Sequence, residues 1–180
     1  TNASRVPGAK DSIVRYEGEL TLVDLLGRLR AGDEWRDTPG IAFLEDGRPV
    51  ESETRALVQD LDSLPFPYRP FPPERIMGLP TLPVLASRGC ARRCSFCSIH
   101  TFYRTAPGKV VRVRKPQFVI EEMLELNRTF GVRVFLFQDD DFPLWGKAGR
   151  RWADELTARM QEAGLAEQTI WKISCRAEYL

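Results

Sequence analysis

The chain has no apolar run near the ~20 residues that a helix needs to cross a bilayer, and this excludes a helical membrane span among its 180 residues. Neither charge sign dominates. Lys and Arg number 26 against 25 Asp and Glu, for a formal net charge of +1. No global basic field is therefore available to draw in nucleic acid or an anionic membrane, and neither is expected as a partner. The first residues do not read as a charged-then-apolar leader, so export is not expected. Thr1 is not an initiator Met, and Leu180 follows closely on a strand-like segment, so both ends read as cuts in a longer protein. Histidine is nearly absent, with His100 the single example. Separated cysteine pairs are absent too, which excludes a disulfide framework. Of the four cysteines, Cys90, Cys94 and Cys97 crowd together while Cys175 stands far off. A tight triplet of this kind is expected of a metal or cluster site in a reducing, cytoplasmic compartment.

Proline is abundant where it matters. Pro65, Pro67, Pro70, Pro72, Pro73, Pro80 and Pro83 crowd the segment from Ser63 to Pro83, and residues 63–80 are expected to form an extended linker. Before it, residues 11–16 read as a short strand. Leu22, Val23, Leu25, Leu26 and Leu29 predict a helix over Thr21–Arg30, stopped by Gly32. Ile41 to Val50 predicts a hairpin turning at Asp46-Gly47. After the linker, Pro83 to Ser87 predicts a strand running straight into Arg88-Gly89-Cys90. A helix follows from Pro116 to Phe130 with Gly131 as its stop, then a strand from Val132 to Phe137, a helix over about Lys147–Ala163 and a strand over Thr169–Ser174. That βαβαβ order predicts a parallel sheet with its chemistry at the carboxyl ends of the strands. The cysteine loop, Asp139-Asp140-Asp141 and Arg176 each follow such an end.

The spacing CxxxCxxC lets one loop wrap three soft thiolates around a single centre, which suits an iron–sulfur cluster or zinc. Three thiolates on a four-iron cluster leave one iron open for a small molecule. Gly89 permits a tight turn where strand becomes loop, and Phe96 is placed to shield the centre or pack near an adenine.

Ser87-Arg88-Gly89-Cys90-Ala91-Arg92-Arg93-Cys94-Ser95-Phe96-Cys97-Ser98-Ile99 resembles the cluster loop of the radical S-adenosylmethionine superfamily, including the aromatic before the third cysteine. Phe135-Leu136-Phe137-Gln138-Asp139-Asp140-Asp141-Phe142 and Trp171-Lys172-Ile173-Ser174-Cys175-Arg176-Ala177-Glu178 are similar to the second and third strands of its cobalamin-binding branch. Arg15-Tyr16-Glu17-Gly18-Glu19 and Asp60-Leu61-Asp62-Ser63-Leu64-Pro65-Phe66-Pro67 resemble the tail of the cobalamin domain and its linker. The resemblance implies an α/β chain, the first half of a partial (β/α) TIM-like barrel preceded by the C-terminal remnant of a Rossmann-like cobalamin-type domain. Residues 1–62 would be that remnant, 63–80 the linker and 81–180 the barrel half.

It also implies that Cys90, Cys94 and Cys97 hold a [4Fe-4S] cluster, with S-adenosylmethionine on the fourth iron and cobalamin as a further cofactor. Asp139, Asp140 and Asp141 would meet the methionine ammonium, Phe96 would lie against the cofactor, and Arg176 would pair with its carboxylate or ribose. The substrate would be a small molecule, and an electron donor such as flavodoxin or ferredoxin would be needed. The Asp-x-His-x-x-Gly motif that ligates cobalamin in that branch is absent from the sequence, and His100 does not match it.

Plainer readings stand beside these. Cys90, Cys94, Cys97 and His100 also spell a Cys3His site for structural zinc in a module that binds a partner and catalyses nothing. Asp139–Asp141 can be a solvated turn, Cys175 a small buried residue, and Arg92 and Arg93 either solvated charges or supports for a negatively charged centre. Arg112, Arg114 and Lys115 are too few to indicate RNA.

Overall fold

The computed structural model describes residues 12–179, and the Asp11 end of the first expected strand lies outside them. The described chain divides into two units. One holds the residues up to Val58 with Thr101–Lys109, and the other holds Gln59–His100 with Val110 onward.

The first unit opens with β1 (Ser12–Val14), then α1 (Glu19–Ala31), β2 (Ile41–Glu45) and β3 (Arg48–Glu51), the strands forming an antiparallel sheet in the order β1-β2-β3. The expected turn is present, with Asp46 at φ 49° and Gly47 at φ 76°, the two left-handed residues of the hairpin turn whose twist matches the flanking strands. Leu25, Ile41 and Phe43 make the core, backed by Val14, Trp35 and Val50. The Trp35 and Phe43 rings meet edge to face at 5.3 Å. All described strand pairing in this unit is antiparallel, which differs from the parallel pairing of a Rossmann-like sheet. For β2 and β3 the reason is local, since a two-residue turn can only join antiparallel neighbours.

The second unit contains β4 (Glu74–Ile76), β5 (Leu79–Val84), β6 (Ser87–Arg88), the start of α2 (Ile99–Thr105), β7 (Arg112–Val113), α3 (Pro116–Phe130), β8 (Val134–Phe137), α4 (Gly146–Glu162) and β9 (Ile170–Lys172). Its main sheet has the order β4-β5-β8-β9, and both β5–β8 and β8–β9 pair in parallel, as the βαβαβ pattern predicts. β6 and β7 form a separate antiparallel pair. Pro116 starts α3, and Gly131 closes it in the left-handed conformation. The inner faces of α3 and α4 pack on the sheet through Val119, Met123, Leu126, Leu156 and Met160, against Val84, Phe135 and Phe137.

The proline-rich segment is more ordered than an extended linker. It contains β4 and the start of β5, and β5 is an interior strand despite Pro80 and Pro83. Both prolines sit where the ladder has no use for an N–H. Pro80 lies beyond the start of β8, and its carbonyl accepts from Arg133 N at 2.9 Å. Pro83 lies past the last β4 partner, which is Glu74 opposite Thr81. Its carbonyl accepts from Arg69 Nη2 at 3.0 Å.

Two arginines fasten this segment to α3. Arg69 Nη2 and Arg114 Nη1 reach the two oxygens of buried Glu122 at 2.8 and 2.6 Å, and Arg114 Nε lies 3.7 Å from Asp62. Among the described residues no helix is long and apolar enough to cross a membrane.

Candidate functional site

The site stands at the carboxyl ends of β5, β8 and β9, within the second unit. β5 ends at Val84, and the chain continues through Ala86 and β6 into the cysteine loop. Gly89 sits at φ 86°, and a Cβ there would lie 2.1 Å from the Val110 carbonyl oxygen, so only glycine fits this entry to the loop. Cys90, Cys94 and Cys97 are all half-buried and carry free thiols. Cys97 N donates to Cys94 O at 3.1 Å, which coils the second half of the loop.

β8 delivers the three aspartates to the same place. Their side chains part company there. Asp139 is buried. Its Oδ1 accepts from Ser87 Oγ at 2.5 Å and its Oδ2 from Ala86 N at 3.3 Å. Burial pushes the Asp139 carboxyl up from its usual range, against the pull of those hydrogen bonds. Asp140 is exposed, and its Oδ2 accepts from Gly89 N at 2.8 Å. Asp141 is buried, with Oδ2 4.0 Å from Cys90 Sγ. The Cys90 thiol is pushed up by burial first and then by the charges of Asp141, Asp140 and Cys94, while Arg92 N, 3.4 Å from its sulfur, pulls the other way.

The end of β9 contributes the third side. Arg176 Nη1 lies 3.9 Å from Cys94 Sγ. Glu178 binds Arg176, with Nε–Oε1 at 3.1 Å, and also holds Arg92 from the cysteine loop. Arg176 therefore holds the Glu178 carboxyl below the usual range.

The residues expected from sequence thus meet in part. Cys90 faces Asp141, and Cys94 faces Arg176. Phe96 is 91% exposed and covers neither sulfur. Cys175 packs half-buried on the core, as its plain reading expects. His100 falls in α2, not in a loop. Among the described residues no three Cys, His, Asp or Glu side chains converge on a point that would hold one metal ion. The donor chemistry nonetheless fits an iron–sulfur cluster. Three uncrosslinked thiols share one loop, and a four-iron cluster takes each sulfur on a different iron. Sequence reading missed Ser87, Glu178 and the Val110 carbonyl as parts of the site. Ser87 and Glu178 fall inside the resembling segments, but no spacing singles them out.

The second unit is thus an α/β fold whose parallel strands carry a cysteine loop at one carboxyl end and carboxylates at the next. No protein-family model matches the chain. Its similarity to known proteins is nevertheless extensive. It is 32% identical over 169 residues to an uncharacterized methyltransferase of Pyrococcus horikoshii, covering 92% of this chain and 35% of that protein. It is 30% identical over 174 residues to the anaerobic magnesium-protoporphyrin IX monomethyl ester cyclase of Cereibacter sphaeroides, covering 92% and 27%. The chain therefore spans about a third of the length of the curated relatives it matches.

Its fold matches the radical S-adenosylmethionine methyltransferase TsrM of Kitasatospora setae, solved with tryptophan substrate and an S-adenosylmethionine analogue. The TM-score is 0.67 at 19% identity, over 92% of this chain and 32% of that one. It also matches the cobalamin-dependent S-adenosylmethionine radical enzyme OxsB, with a TM-score of 0.68 at 18% identity, over 93% and 23%. The chain is thus related in sequence to the Pyrococcus horikoshii methyltransferase and the Cereibacter sphaeroides cyclase over most of its own length, and it shares the mixed α/β fold of TsrM and OxsB.

Proposed function

We propose that the chain is part of a radical S-adenosylmethionine enzyme in which Cys90, Cys94 and Cys97 hold a [4Fe-4S] cluster and S-adenosylmethionine binds at the iron they leave open. The observation that carries the reading is the approach of Cys90 Sγ to Asp141 Oδ2 at 4.0 Å, which joins the thiol loop after β5 to the acidic end of the parallel neighbour β8. When bound, such a cluster supplies the electron that cleaves S-adenosylmethionine to methionine and a 5′-deoxyadenosyl radical, which takes hydrogen from a substrate. The chain's own residues bind and orient. One carboxylate of the Asp139–Asp141 run is offered to the methionine ammonium. Arg176, already beside Cys94, offers a guanidinium to the cofactor's carboxylate or ribose. Phe96, exposed on the loop, is free to lie over the adenine or the cluster.

The parallel β5-β8-β9 sheet with α3 and α4 supports reading residues 81–180 as the first half of a partial (β/α) TIM-like barrel. Residues 63–80 would then be the connection, including β4. Residues 1–62 would be the C-terminal part of a cobalamin-binding-like domain, with the antiparallel β1-β2-β3 sheet as its appendage. TsrM and OxsB are described with cobalamin, and cobalamin is part of the proposal through them. Its histidine motif is not in this chain, so none of these residues is assigned to it.

The relatives' printed activities support methylation or another radical modification of a small molecule as the reaction. A flavodoxin- or ferredoxin-like donor in the cytoplasm would supply the electron. The test is anaerobic reconstitution of the full-length protein with iron and sulfide, followed by reduction with dithionite in the presence of S-adenosylmethionine. Uptake of about four iron per chain with release of 5′-deoxyadenosine or S-adenosylhomocysteine is expected. Uptake of about one zinc and no cleavage would make the loop a structural site.

A further inference from the structure

The acidic run carries more than one task. Asp139 and Asp140 turn their carboxylates toward the strand-to-loop junction. Asp139 takes the Ser87 hydroxyl and the Ala86 N–H, and Asp140 takes the Gly89 N–H. Three donors between Ala86 and Gly89 are thus held by two consecutive residues some fifty positions on in the chain. The backbone on the other side of the junction is fixed as well. Arg114 N donates to the Ala86 carbonyl at 2.8 Å, and Gly89 stands against the Val110 carbonyl with no room for a Cβ. Cys90 follows this clamp immediately, so its place is set by the clamp. Of the three carboxylates, Asp141 is the one that lies beside a thiol.

We propose that Asp140, with Asp139 behind it, is a positioning residue that fastens the cysteine loop through the Gly89 N–H, leaving Asp141 as the carboxylate of the run that faces the bound cofactor. The inference rests on the cluster reading but assigns separate roles within it. A carboxylate on a backbone N–H is a charge-assisted hydrogen bond. Asparagine keeps an accepting oxygen at the same reach, and alanine keeps none. A residue that holds an ammonium by its charge behaves otherwise, because asparagine cannot replace that charge.

The full-length protein and its Asp140→Asn, Asp140→Ala and Asp141→Asn variants would be compared in two ways. The first is hydrogen exchange of the loop peptide in the metal-free protein, which needs no cluster. Loss of the Gly89 bond should speed exchange at that amide about tenfold in Asp140→Ala and little in Asp140→Asn. The second is iron uptake after anaerobic reconstitution, with EPR of the reduced protein before and after S-adenosylmethionine is added. Asp140→Ala should load poorly. Asp140→Asn should load like the parent and keep the change that S-adenosylmethionine induces, and Asp141→Asn should load but lose that change.

An Asp140→Asn variant that loads fully yet loses the S-adenosylmethionine response would overturn the inference, since Asp140 would then touch the cofactor. An unchanged Gly89 amide in Asp140→Ala would overturn it as well. If the parent itself takes up no cluster, the proposed function fails, and the exchange measurement still decides the role of Asp140.

Discussion

α1 and α3 look alike in sequence and live differently in the structure. Each carries apolar residues at helical spacing, a glycine stop in the left-handed conformation, and one acid bound by two arginines. In α3 the apolar face is buried, with Val119 and Met123 fully covered and Glu122 only 3% exposed between Arg69 and Arg114. In α1 only Leu25 of the apolar set is buried. Leu22, Leu26 and Leu29 are exposed and Val23 is 70% exposed, while Asp24 stands 32% open between Arg28 and Arg55. Periodicity therefore reports that a helix forms, and not that its face is covered. Burial has to come from what the topology lays against the helix. For α3 that is the parallel sheet, and the described part of the first unit supplies a core of Leu25, Ile41 and Phe43.

Substitutions can sharpen the contrast. The largest effect belongs to Glu122→Ala, which leaves two guanidiniums without their shared carboxylate in a buried site and should cost about 3–5 kcal/mol. Denaturant melts would check it, and a loss no greater than that of a surface pair would break the comparison. Met123→Ala, in a fully buried position, should cost about 2–5 kcal/mol, whereas Leu26→Ala on α1 should stay within about 0.5 kcal/mol. Equal losses from those two would mean that the α1 face is covered after all.

A small and pH-dependent effect is expected at Asp24. Its carboxyl is held below 3.8 by hydrogen bonds from Arg28 first and Arg55 second. A lowered carboxylate pKa adds stability that is present above 3.8 and is lost as pH falls through the folded-state value. Melts of Asp24→Asn and the parent should differ by no more than about 1 kcal/mol near neutral pH for so open a pair. The gap should close as the buffer is taken below 3.8. A gap that widens in acid would contradict the assignment.

Much of the fold could be read from local chemistry. Pro116 and Gly131 mark α3, Asp46-Gly47 marks the β2–β3 turn, and the apolar run before Gln138 marks β8. What escaped depends on partners distant in the chain. Pro80 and Pro83 argue against an interior strand until the register shows that neither missing N–H faces a ladder partner. β6 and β7 pair over two residues each, too short for any alternation to show. The site divides the same way. Three thiols within one loop announce themselves by spacing, and the parallel order places Asp139–Asp141 and Arg176 at neighbouring strand ends. Which carboxylate turns toward Gly89 and which toward Cys90 is a matter of side-chain direction at the strand end. Glu178, which ties Arg92 to Arg176, carries no signal of its own before the ends of β6 and β9 are brought together.

The central claim is that the cysteine loop holds a four-iron cluster with one iron open to S-adenosylmethionine. Low-temperature EPR of the anaerobically reconstituted, reduced full-length protein tests it most directly, with Cys94→Ala alongside. A four-iron signal that shifts when S-adenosylmethionine is added, and is lost in Cys94→Ala, is the predicted result. A reduced protein with no cluster signal, or a signal that ignores both S-adenosylmethionine and the loss of Cys94, would contradict it.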